Sequence, residues 1–95
     1  MESQIAEIRR RVEPILQEAG VRRAGLFGSI ARGDFHEESD VDMLVDIKKN
    51  ISLFDFVELK LKLEEALGQK VDLVEYAALK PVLRESVLAQ EVKIL

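Results

Sequence analysis

The chain contains no cysteine, which excludes disulfides and thiolate-bound metals. It has one histidine, His36, and a lone histidine without cysteine cannot build a zinc site. His36 lies in a polar stretch and is expected to be solvated. No run of 18 apolar residues occurs, so no helical membrane span is expected. The start, Met1-Glu2-Ser3-Gln4, lacks the basic and apolar regions of a secretory signal, and a cytoplasmic location is expected by default. There is no low-complexity tract, linker or internal repeat. With 95 residues, a single domain spanning 1–95 is expected. A domain of this size buries well under about 70% of its unfolded surface, so its core is only modestly stabilising.

What is present is an uneven distribution of charge. The net charge of −4 conceals a segment, residues 34–46, with six acids and no base. Such a patch stands in solvent or attracts cations. A polyanion needs a basic surface, so nucleic-acid binding is disfavoured. Arg9-Arg10-Arg11 and Arg22-Arg23 are read as solvated helix and loop charges.

Apolar residues at Ile5, Ile8, Val12, Ile15, Leu16 and Ala19 step by three and four, predicting an amphipathic helix. Pro14 is expected to kink it and Gly20 to stop it. Ala24 to Phe27 reads as a buried strand, and Ser29 to Arg32 as a short helix. Val41, Met43, Val45 and Ile47 alternate with Asp42 and Asp46, as a strand does, with Leu44 breaking the alternation. Residues 51–67 favour helix by residue type, with Ser52 and Asp55 in a capping arrangement and Gly68 as the stop. Lys70 to Val74 reads as a strand, Pro81 to Ala89 as a short helix and Val92 to Leu95 as a last strand. The helix between them makes the Asp42 and Asp72 strands parallel and adjacent. The fold class is α/β (α+β), a small mixed β-sheet flanked by helices.

Asp40 and Asp42 lie two apart at a strand start, so both carboxylates point to one face with Cα atoms ~6.5 Å apart. They repel unless a cation lies between them, and Mg²⁺ suits such hard oxygen ligands. One ion or a pair could stabilise the oxygens of an in-line phosphoryl displacement. Alone, the Asp-x-Asp string also fits an acidic strand edge. Asp72 stands between Val71 and Leu73 in an apolar strand, and a buried carboxylate there would need a partner or a metal. It can join Asp40 and Asp42, or face solvent on an edge strand. Gly28-Ser29 ends a strand and opens a helix, where free backbone N–H groups can hold phosphate oxygens. Ser29 either caps that helix or donates to phosphate. Arg32 can reach a phosphate or pair with Asp34 or Glu38. Gly28-x₄-Gly33 is not a P-loop, because Asp34-Phe35 occupies the place of Lys-Ser/Thr. Tyr76 reads as a cap on the core.

Gly28-Ser29, Ala31-Arg32-Gly33-Asp34, Ser39-Asp40, Asp42-Met43-Leu44-Val45 and the later string Val71-Asp72-Leu73-Val74 together resemble the minimal nucleotidyltransferase family of the DNA polymerase β-like superfamily. The resemblance implies the polymerase β-like nucleotidyltransferase fold, with Asp40, Asp42 and Asp72 as catalytic and metal-binding acids. It implies that Gly28 and Ser29 hold a nucleoside triphosphate, with Arg32 and Ser39 as further nucleotide-binding residues. It implies Mg²⁺-dependent transfer of a nucleoside monophosphate, AMP from ATP, to an acceptor. Members that modify antibiotics carry an extra acceptor-shaping domain, and none is expected here in 95 residues. The acceptor is therefore expected to bind an open cleft or to arrive on another protein. Small proteins of this family pair with a helical HEPN protein encoded nearby in toxin–antitoxin modules. The expected reaction is adenylylation (AMPylation) of a toxin tyrosine, making this chain an antitoxin. Stoichiometric neutralisation by contact and transfer to a small-molecule alcohol are the alternatives. Self-association is left open.

Overall fold

The structure, a computed structural model, describes residues 3–33, 40–47 and 51–95. Helix α1 runs Gln4–Glu18, opened by Ser3, whose hydroxyl accepts from the Ala6 N–H at 3.1 Å. It is continuous through Pro14 and buries Ile8, Val12 and Leu16 on one side. Gly20, at φ +83°, turns the chain into strand β1, Val21–Phe27. A four-residue helix α2, Ser29–Arg32, leads towards strand β2, Val41–Ile47. Helix α3 spans Leu53–Leu67, capped by Ser52 accepting from the Asp55 N–H at 3.1 Å. Gly68 closes it in the left-handed conformation. Strand β3, Val71–Glu75, passes through a 3₁₀ turn, Tyr76–Ala78, into helix α4, Pro81–Gln90, and strand β4, Val92–Lys93.

The sheet order is β3-β2-β1-β4. β1 is antiparallel to both β2 and β4, whereas β2 and β3 are parallel, joined through α3 as the sequence predicts. β1 starts three residues earlier than the apolar run at Ala24. Arg22 and Arg23 are therefore strand residues, a correction to their reading as loop charge.

The two faces of the sheet differ in kind. Ala24, Leu26, Val41, Met43, Val45, Val71 and Leu73 pack under α1 and α3, against Val12, Leu16, Leu59 and Leu63. By strand alternation Gly25, Phe27, Asp42, Leu44, Asp72 and Val74 belong to the other face. Leu44 is fully buried yet outside that core cluster. It breaks the polar alternation because the second face is also covered at its level, where the 3₁₀ turn meets β2 and α4 meets β1. Among the described residues no helix is long and apolar enough to cross a membrane.

Candidate active site

The acids meet through strand register. In the parallel β2–β3 pair Asp42 lies directly opposite Asp72, so the two side chains share one face. Burial raises the Asp42 carboxyl from its ordinary 3.8 to about 6, reinforced by the negative charges of Asp72 and Asp40 and a hydrogen bond with Asp72. The Arg32 guanidinium opposes the shift, which places its charge within reach of Asp42. Asp40 stands exposed immediately before β2. Asp72 is also exposed, on the edge strand of the sheet. It is thus not the buried carboxylate that its apolar neighbours suggest, although it faces Asp42 as expected.

Among the described residues no group of three is gathered tightly enough to hold a metal ion by itself. Asp42 and Asp72 form the assembled part, with Asp40 near enough for its charge to be felt. This set still fits a hard divalent cation. It offers carboxylate oxygens alone, and their mutual repulsion is the kind that a cation relieves.

The turn at Gly28 brings a second function against the acids. Gly28 has φ +72° and ψ −145°, a region essentially closed to residues with a side chain. A Cβ built on it would run into the Asp42 carboxylate. Glycine thus lets the β1–α2 turn lie directly on Asp42. Gly28 occupies the cap position of α2 with no side-chain cap bond, so Ser29, the first helical residue, does not cap it. The half-buried Ser29 hydroxyl is left for another use. Ser39, Asp34 and His36 lie outside the described residues.

Sequence reasoning missed a cluster on the same face. The Tyr76 hydroxyl donates to Glu91, and the Arg23 guanidinium contacts both of them. Tyr76 therefore packs on the acid-bearing face rather than capping the main core. One signal was available: a lone glycine inside a strand, Gly25, marks a close approach of another group. A groove of about 500 Å³ between α1 and Lys93, lined by Arg9, Arg10 and Pro14, contains none of these residues.

Residues 10–95 match the family described as Polymerase beta, Nucleotidyltransferase. A Methanocaldococcus jannaschii protein provisionally named a protein adenylyltransferase is 45% identical over 91 residues, covering 96% of this chain and 98% of its own. Protein adenylyltransferase MntA of Thermococcus cleftensis is 48% identical over 73 residues, 77% of this chain and 74% of its own. A crystal structure of a toxin–antitoxin with AMP-PNP is similar with a TM-score of 0.80 and 28% identity, over 92% of this chain and 72% of that one.

Proposed function

The chain belongs to the polymerase β nucleotidyltransferase family, and we propose that it transfers AMP from ATP to a hydroxyl of a partner protein. The acceptor is a tyrosine of a small helical HEPN-type toxin encoded nearby, and its modification makes this chain an antitoxin. In this reaction the acceptor oxygen bonds to the α-phosphorus, the bridge to the β-phosphate breaks, and pyrophosphate leaves. Two likenesses support the choice. The relatives named above are called protein adenylyltransferases, and the toxin–antitoxin structure carries an ATP analogue.

The observation that carries the proposal is Asp42 paired in register with Asp72 while the Gly28 turn lies against its carboxylate. One surface thereby offers cation-seeking acids beside a backbone turn open to phosphate. Asp40, Asp42 and Asp72 would hold Mg²⁺, as one ion or two. Bound there, it supplies charge neutralisation at the phosphate oxygens. Gly28 and Ser29 hold the triphosphate, Ser29 through its uncommitted hydroxyl. Arg32 adds positive charge at the same place, and Ser39 is assigned to the nucleotide with them. A cytoplasmic location follows from this role.

Neutralisation by contact alone is a second reading, favoured by exposed apolar residues. Phe54 of α3 is 87% exposed and Val82 of α4 83% exposed. The test incubates the chain with Mg²⁺ and α-labelled ATP, GTP, CTP or UTP, with and without the product of the neighbouring gene. Label on the neighbour from ATP, lost in Asp42→Asn, supports transfer. A stable unlabelled complex supports contact alone.

A further inference from the structure

The chain's only tyrosine, a strand arginine and a nearly buried glutamate form a compact cluster on the acid-bearing face. The Tyr76 hydroxyl donates to Glu91 Oε2. Arg23 donates to Glu91 Oε1 at 2.9 Å, and its guanidinium stands 4.6 Å from the centroid of the Tyr76 ring. The Glu91 side chain is 6% exposed.

Three departures from regular structure converge to build this cluster. Val21 pairs with Ile47 and Arg23 with Asp46, so β1 holds one extra residue between them. A regular strand would place Val21 and Arg23 on the same face. The bulge keeps Val21 in the main core and turns Arg23 to the face of Gly25. Gly25 is the second departure, because a Cβ there would collide with the Glu91 carboxylate. The third is the 3₁₀ turn directly after β3, which carries Tyr76 and is held by Arg84 donating to the Tyr76 carbonyl at 2.9 Å.

Gly25 pairs with Leu44, two residues from the Phe27–Asp42 pair, which is ~7 Å along the strand. The cluster thus ties β1, which ends in the Gly28 turn, to the C-terminal end of β3, the strand whose opposite end carries Asp72. Between them lies β2 with Asp42. We propose that Glu91 is a positioning residue for nucleotidyl transfer, fixing the phosphate-holding turn relative to the paired acids through Arg23 and Tyr76. This role rests on the functional reading above. A side chain locked by burial and by two partners suits holding a reacting geometry to a fraction of an ångström.

Glu91→Gln keeps the size of the side chain and removes its charge. Gly25→Ala pushes the carboxylate off the sheet, and Tyr76→Phe removes only the hydroxyl, serving where Gly25→Ala fails to fold. For each variant, the affinity for an ATP analogue with an α,β-methylene bridge is measured with and without Mn²⁺, beside the melting temperature and the kinetics of transfer. Without metal the analogue should bind within about twofold of the unaltered chain, while its enhancement by Mn²⁺ falls at least about fivefold. In turnover at saturating Mg²⁺ kcat should fall about tenfold, with KM for ATP rising by about the lost metal enhancement, roughly fivefold. Variants that melt lower but keep both the Mn²⁺ enhancement and kcat would make the cluster purely structural and overturn the role. An unaltered chain with neither enhancement nor transfer would overturn the functional reading, and this role with it.

Discussion

Asp42 is the acid of the candidate site on which burial and neighbouring negative charge act together. Its raised pKa means that the folded chain holds the Asp42 proton more tightly than the unfolded chain does. Its contribution to stability is therefore most favourable below the unfolded value of 3.8 and is lost as pH rises through about 6. At neutral pH Asp42→Asn should melt higher than the unaltered chain, and the difference should vanish near pH 4, as thermal melts across pH would reveal. Mg²⁺ should raise the melting temperature of the unaltered chain by mass action, and the rise should shrink in Asp42→Asn. Gly28→Ala combines a closed backbone region with a collision at Asp42. It should cost about 1–3 kcal/mol in denaturant unfolding and lower transfer by at least about tenfold through displacement of the turn. That Asp42 and Asp72 meet on one face was legible from the sequence, because strand alternation and parallel pairing fix which carboxylates lie opposite. The Arg23–Tyr76–Glu91 cluster was not, because it depends on a bulge that shifts the period within β1.

The helices and strands follow from patterning where caps are explicit. Ser52 and Gly68 bound α3 at both ends, and Ser52→Ala should cost about 1 kcal/mol, which is a fall of roughly 4–8 °C in melting temperature for a domain of this size. Ser3 makes the same kind of bond at α1 but is followed by no capping-box acid to advertise it. Leu44 shows where alternation misleads. A strand covered on both faces at one level has no polar position there, so an apolar residue interrupts the pattern. Leu44→Ala should destabilise by about 2–5 kcal/mol, as a large side chain with no solvent exposure would. A loss under about 1 kcal/mol would mean that the second face is loosely covered. The β1 boundary was missed because two adjacent arginines look like loop, whereas one pairs across the sheet with Asp46 at 3.2 Å and the other enters the cluster.

Taken whole, the fold separates the aliphatic core from the candidate site by sheet face. The aliphatic core under α1 and α3 sits on one side, and the acids, the Gly28 turn and the Glu91 cluster sit on the other. The crossover through α3 makes β2 and β3 parallel, and parallel register brings Asp42 beside Asp72 although thirty residues of sequence separate them. That juxtaposition was legible from topology alone, since a helix between two strands leaves little other choice. The degree of exposure of Asp72 was not, because sequence does not say which strand ends up at the sheet edge. The most direct measurement of the central claim is the intact mass of the neighbouring gene's product after incubation with ATP and Mg²⁺. It is made with the unaltered chain, with Asp42→Asn and with Asp72→Asn. The account predicts a gain of adenylyl mass on a tyrosine with the unaltered chain and none with either variant. An unchanged mass despite complex formation, or an equal gain from the variants, would contradict it.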